Sequence, residues 1–200
     1  MAKELDVAVH QFLDRPIDDE IAFLIVDASY FKVRDGARYV SKTLFVVAGI
    51  RADGYREILG AKIADGEDAL LWEEYFDELK ARGLHGVKMA ISDGHKGIMQ
   101  AVQHSFTDAS WQLCQVHFMR NILKTMAKKY WPEVSFEMKA AMNNPDSIPA
   151  FRERLLSLDW RSRPTCSTAT MTRYSTTQPF QGSTGEGCAQ QTCSNALTWS

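Results

Sequence analysis

A surplus of positive charge is missing from this chain: 23 Lys and Arg stand against 25 Asp and Glu, for a net charge of −2. A protein whose main task is gripping a phosphate backbone usually carries a basic excess. If the chain works on DNA, most of its grip therefore lies elsewhere. Long apolar runs are absent too. No stretch approaches the roughly 18 uninterrupted apolar residues of a membrane span. The start, MAKELDVAVHQF, lacks the charged, apolar and small-residue succession of a secretory leader, so a cytoplasmic location is expected. Cysteine is scarce, and Cys114, Cys166, Cys188 and Cys193 are not spaced like a secreted disulfide scaffold. What is there, 45% apolar residues in 200, is enough for one domain with a real core.

Composition breaks near Trp160. Residues 161–200 hold 15 Ser or Thr and no Ile, Val, Lys, His or Asp, so they lack the aliphatic periodicity of a core element and read as a disordered tail. Before the break, AFLIVDASYFKV (Ala22–Val33) and YVSKTLFVVAGI (Tyr39–Ile50) are rich in β-branched and aromatic residues around an Asp35-Gly36 turn, which predicts a hairpin. A second turn at Arg51–Gly54 leads into YREILGAKI (Tyr55–Ile63), a third antiparallel strand. Leu70, Leu71, Tyr75, Phe76 and Leu79 then recur at helical spacing between Glu67 and Arg82, with Gly83 as the stop. VKMAIS (Val87–Ser92) predicts a short buried strand, Lys96–His104 a helix and SWQLC (Ser110–Cys114) a fifth strand. From His117 to about Leu158 the pattern is helical, interrupted at Pro132 and at Asn143–Asp146. The fold class is α/β: three antiparallel strands, then alternating helix and strand, then helices.

Asp27 follows the apolar run Phe23–Val26, where an unpartnered carboxylate is costly to bury. Asp93 follows the apolar strand ending in Ile91, at the carboxyl end where open α/β sheets hold their sites. Two such carboxylates can converge on Mg²⁺, a hard cation that takes oxygen ligands and keeps positions open for phosphate. Each residue also has a plainer reading: a salt-bridged strand aspartate for Asp27, and a cap for the next helix for Asp93. Cys114-x-x-His117 has the spacing of half a zinc site, but no second pair precedes the tail. Trp111, Phe118, Trp131 and Phe136 read as core ahead of base-stacking residues. Arg120, Lys124, Lys128 and Lys129 give one helical segment a basic side, and Lys96 adds a cation beside Asp93. The acidic segment 67–82 is expected to face away from DNA.

Several long strings occur together in order: LIVDASYFKVRDGARYVSKTLFVVAGIRADGYREILG, the helix ending in LKARGLHGV, ISDGHKGIMQAV and WQLCQVHFMRNIL. Over about residues 10–150 they resemble mutator-type insertion-sequence transposases. The resemblance implies an RNase H-like catalytic core over residues 1–116, a helical insertion over 117–160, and an Asp-Asp-Glu triad using Mg²⁺ or Mn²⁺. It makes Asp27 the first acid and Asp93 the second, both metal ligands. It also carries the family's Cys-x-x-His signature onto Cys114 and His117. Lys96, Arg120 and Lys124 become DNA-contact candidates. The implied partners are the element's ends and its target DNA, with self-association or pairing with an intact transposase. A bacterial, nucleoid-associated location follows.

The third acid belongs in a motif like R-T-T-N-x-L-E-R, and no such string occurs in the chain. Reading from the third base of each codon, residues 184–200 can encode HWRRLRTTNMLERVNLE, and Pro164–Thr172 can encode ADMLDRYDD. Both strings again resemble the family. A frameshift between about Phe151 and Arg163 is expected, leaving 161–200 as an out-of-frame tail and the missing Glu across the codons of Ser194 and Asn195. Glu186, the tail's acid, is then no ligand. Three functions compete: a transposase core, an inactive remnant that binds DNA or an intact transposase, and an RNase H-like nuclease whose third acid is a residue such as Glu57 or Glu73.

Overall fold

The computed structural model describes residues 2–158, and the expected tail at 161–200 lies outside them. The chain divides into two compact units, Met1–Gln112 and Leu113–Ser200.

In the first unit, a helix α1 (Ala2–Leu13) precedes three long strands, β1 (Ile21–Asp35), β2 (Arg38–Arg51) and β3 (Arg56–Ala64). Helix α2 (Ala69–Ala81), strand β4 (Met89–Ser92), helix α3 (Lys96–Ser105) and strand β5 (Ser110–Leu113) follow. The sheet order is β3-β2-β1-β4-β5, with β1 antiparallel to β2 and parallel to β4. β3 runs antiparallel to β2. This is a mixed α/β arrangement. The β-branched and aromatic content predicted the strands because such side chains fill a pleated, half-buried surface. Along β1 the burial alternates as the pleat requires: Leu24 and Val26 are fully buried, whereas Phe23, Ile25 and Asp27 on the opposite face are half-buried.

Against the Leu24 and Val26 face pack α2 and α3. Trp72 of α2 is fully buried and stacks on Phe45 of β2, with ring centroids 3.8 Å apart. Tyr75, Phe76 and Leu79 continue the same helical face, and Ile98, Ala101 and Val102 bring α3 into the same core. Asp68 caps α2 by accepting a hydrogen bond from Leu71 N at 3.0 Å. Gly83 ends α2 with φ +110°, and a Cβ there would meet the Ile17 carbonyl oxygen at 2.5 Å. The helix stop read from Gly83 is thus also the place where the segment after α1 docks, through Ile17 N–H to the Arg82 carbonyl at 2.8 Å.

α1 itself is an addition to the predicted elements. Leu5, Val9, Phe12 and Leu13 recur in it at helical spacing, yet Leu5, Val7, Val9 and Phe12 are exposed.

The second unit holds α4 (Gln115–Lys124), α5 (Trp131–Asn143) and α6 (Ile148–Ser157). Pro132 sits in the first turn of α5, where a missing N–H costs nothing. Phe118 and Ile122, Val134 and Met138, and Phe151 and Leu155 supply the buried faces of the three helices. Arg154 of α6 reaches Glu133 of α5 at 2.5 Å. The expectation of core burial holds for Phe118 and fails for Phe136, which is 76% exposed, because it lies two residues from both Val134 and Met138 and so on the opposite side of α5.

Trp72→Ala removes the largest buried side chain of the first unit. It is expected to lower the unfolding free energy by about 3–5 kcal/mol, with Trp72→Phe costing less because it keeps the stack on Phe45. Equilibrium urea unfolding checks both.

Candidate active site

Asp27 and Asp93 are brought together by the parallel pairing of β1 and β4. The paired positions are Phe23 with Met89, Leu24 with Ala90 and Ile25 with Ile91. Two residues further along each chain stand Asp27 and Asp93. Aligned residues of parallel neighbours point to one face and are separated by about one strand spacing, roughly 4.8 Å. Both acids are half-buried on the face opposite the α2 and α3 core, Asp27 within β1 just beyond the point where its pairing with β4 ends, and Asp93 one residue past the end of β4.

Asp93 belongs to a turn rather than to a helix cap. Its Oδ1 accepts a hydrogen bond from His95 N at 3.0 Å, while the cap position of α3 is His95 itself, which makes no side-chain cap bond. The chain leaves β4, bends through Asp93 and Gly94, and enters α3 at Lys96, which is exposed. Gly97 allows this entry, since a Cβ there would lie 2.8 Å from the Glu67 carbonyl oxygen. The loop before α2 is therefore pressed against the first turn of α3.

That contact introduces a residue that no sequence pattern singled out. Glu67 is buried, with a side chain 4% exposed. Its Oε2 accepts a hydrogen bond from the Tyr30 hydroxyl at 2.7 Å, and its Oε1, buried without a hydrogen bond among the described residues, lies 3.5 Å from His95 Nδ1. Tyr30 is three residues past Asp27 and His95 two past Asp93, so one carboxylate ties together the segments that follow both acids. By strand alternation Tyr30 points to the side opposite Asp27, which puts Glu67 behind the acids as a brace. The hydrogen bond to Glu67 holds the Tyr30 phenol up to about 12, with partial burial and the negative charges of Glu67 and Asp93 acting in the same direction. The signal that could have found Glu67 was its place before the capped start of α2, but the partners that matter are 37 and 28 residues away in the chain.

Two other carboxylates considered from the sequence are engaged elsewhere. Glu57 on β3, two strands from β1, is paired with Arg15 at 2.9 Å, and Glu73 on α2 with His104 at 2.9 Å. Among the described residues no three His, Cys, Asp or Glu side chains form a cluster able to hold a metal ion. Trp111 of β5 is half-buried against the core and donates its indole N–H to the Ser92 hydroxyl at 2.9 Å, bracing the residue before Asp93.

In the second unit, Cys114 immediately precedes α4 and His117 lies in its first turn. Burial pushes the Cys114 thiol up, but hydrogen bonding to the His117 side chain and to the backbone of His117 and Val116 outweighs it, so the thiol lies below its ordinary range. Arg120 and Lys124 are exposed and one helical turn apart, on one side of α4.

The family described as "Transposase, Mutator family" matches residues 1–162. The chain belongs to this family. Among its relatives, the Mycobacterium tuberculosis transposase for insertion sequence element IS1081 is 39% identical over 159 residues, which cover 78% of this chain and 38% of that one. The Staphylococcus aureus transposase for insertion sequence element IS256 in transposon Tn4001 is 42% identical over 130 residues, 64% of this chain and 33% of that one. This mutator-family chain thus spans well under half the length of the relatives it matches. Among solved structures, the Drosophila P element transposase strand transfer complex is a distant neighbour, with a TM-score of 0.36, 14% identity and coverage of 58% of this chain and 32% of that one.

Glu67→Ala tests the brace. Because the folded Tyr30 phenol titrates above its unfolded value near 10, it contributes stability that is complete below pH ~10 and is lost as pH rises through about 12. The variant is expected to bring Tyr30 back toward its ordinary value and to abolish that part of the alkaline loss. Ultraviolet phenolate titration and alkaline unfolding read the two effects.

Proposed function

We propose that this chain carries the first two acids of a DDE-type transposase core with an RNase H-like fold, acting on the ends of an insertion element. The observation that carries the reading is the register of β1 on β4, whose last pair, Ile25 with Ile91, stands two residues before each acid. The sheet order, with three antiparallel strands beside two shorter ones, supports the RNase H-like assignment. The division near residue 112 supports a core followed by a helical insertion.

Two aligned carboxylates suit a hard divalent cation, Mg²⁺ or Mn²⁺, and Asp27 and Asp93 are the residues that would hold it. When bound, such ions supply Lewis-acid stabilisation of the attacking and leaving oxygens. In the first reaction a water oxygen forms a bond to the phosphorus at the element's end, and the bond to the 3′ oxygen breaks. That oxygen leaves as a 3′ hydroxyl. In the second, the same hydroxyl oxygen attacks a target phosphate and displaces the target's own 3′ oxygen. The chain's part is to fix the two acids: β1 and β4 set their spacing, and the Asp93 turn with Glu67 behind it limits their movement. Lys96, beside Asp93, is suited to meet a phosphate oxygen, and Arg120 and Lys124 give α4 a phosphate-binding side.

A second reading is favoured by one observation. The family match stops at residue 162, and on this reading the family's third-acid motif beyond it is encoded out of frame. On that reading the translated chain is inactive alone, and binds DNA or pairs with an intact transposase beside the nucleoid. The nucleotide sequence discriminates: a one-base insertion or deletion near codons 151–163 supports the remnant, and an uninterrupted match to intact genes of this length removes it.

For the leading reading, a version with the frame restored is expected to nick element-end DNA with Mg²⁺ or Mn²⁺. Asp27→Ala and Asp93→Ala should each cost at least ~100-fold, since loss of an outer-shell partner alone costs up to about that much at metal sites. Metal-independent nicking, or full activity in Asp27→Ala, contradicts it.

A further inference from the structure

The β1–β2 hairpin outruns the rest of its sheet. β1 pairs with β4 only as far as Ile25, and β3 accompanies β2 only from Thr43 onward, whereas β1 and β2 continue pairing out to Asp35 and Arg38 around Gly36. Beyond Tyr30, whose partner Thr43 still pairs with Ala64, the hairpin is therefore a bare two-stranded ribbon, five residues of β1 at about 3.3 Å each, or roughly 17 Å. It begins four residues past Asp27.

Its two faces differ. Directly opposed residues of an antiparallel pair share a face, which puts Tyr30 with Thr43, Lys32 with Ser41 and Arg34 with Tyr39 on one side. Phe31 with Lys42, Val33 with Val40 and Asp35 with Arg38 form the other. Lys32, Arg34, Arg38 and Tyr39 are all exposed, and Tyr39 is 72% so. The ribbon carries Lys32, Arg34, Arg38 and Lys42 against the single acid Asp35, in a chain whose net charge is −2. Lys42 is paired with Asp65 at the ribbon's base, but Lys32, Arg34 and Arg38 make no ion pair among the described residues. Arg34 instead donates Nε–H to the Gly36 carbonyl at 3.2 Å, which aligns its guanidinium with the turn.

An uncovered two-stranded ribbon adds little stability of its own and exposes two strand edges. Three unneutralised cations and a tyrosine on such a ribbon suit a polyanion, and a two-stranded ribbon is of a size that enters the major groove of B-form DNA. We propose that residues 30–41 form a docking arm for duplex DNA, gripping the helix next to the phosphate presented to Asp27 and Asp93. This rests on the transposase reading and adds to it a contact surface on the core itself, separate from Lys96, Arg120 and Lys124.

The test is fluorescence anisotropy of the full 200-residue chain with a short labelled duplex, in Ca²⁺ so that no cleavage intervenes, over a range of salt. The Lys32→Ala, Arg34→Ala, Arg38→Ala triple variant alters exposed positions, and unchanged circular dichroism verifies its fold. Each lost phosphate contact is expected to flatten the slope of log affinity against log salt by about 0.9, so the triple variant should lose roughly 2–3. Lys139→Ala, at an exposed lysine of α5 outside the arm, should keep the wild-type slope. If the triple variant binds with wild-type affinity and slope, the arm is overturned while the transposase reading stands on its cleavage assay. If the wild-type chain binds no duplex, the arm is likewise overturned. A ribbon whose Val33→Lys change disperses an oligomer while DNA binding is untouched by the triple variant is a protein contact, and the proposal falls.

Discussion

Three paired positions between β1 and β4 hold the functional geometry of this chain. Leu24 and Ala90 of that pairing are fully buried, so a slip of one residue would turn Leu24 and Val26 out of the core and Asp27 into it. Burial of the apolar set thus fixes the position of the acid. The acids themselves are half-buried, Asp27 within β1 and Asp93 just past the end of β4, where the cost of enclosing a carboxylate is reduced and a cation can still approach. Long antiparallel pairing to β2 anchors β1 on its other side, leaving the short β4 as the adjustable partner, braced in turn by Trp111 on Ser92 and by Glu67 on His95.

Much of the sheet was legible in the residues because its signals are local. The hairpin turn at Asp35-Gly36, the alternating strands around it, and the Trp72 to Leu79 stripe closed by Gly83 each declare themselves within a dozen positions. Asp27 and Asp93 stood out for a similar reason, as charged residues ending apolar runs. Their mutual alignment, by contrast, depends on the parallel crossover from β1 to β4 through β2, β3 and α2, a non-local fact. Glu67 was invisible on the same grounds: it is one of several acids near α2, distinguished only by what folds against it. The arm illustrates a further limit, since the hairpin was readable but the early end of its neighbouring strands was not. α1 has apolar residues at helical spacing, but Leu5, Val7, Val9 and Phe12 are exposed, so its periodicity reports no buried face among the described residues.

Family membership accounts for the long strings shared with insertion-element transposases. A net charge of −2 is compatible with local cation surfaces: Lys32, Arg34 and Arg38 stand together on the ribbon beyond Asp27, while acids dominate α2. Among the described residues the proposed centre is represented by Asp27 and Asp93.

The central claim, that Asp27 and Asp93 share a divalent cation, is tested most directly by paramagnetic line broadening. Mn²⁺ titrated into the isotope-labelled chain should first bleach the amide resonances around Asp27 and Asp93 together, with both sets recovering on addition of excess Mg²⁺ and neither responding in Asp27→Asn. Broadening that spares one of the two segments, or that survives the substitution unchanged, would contradict the account.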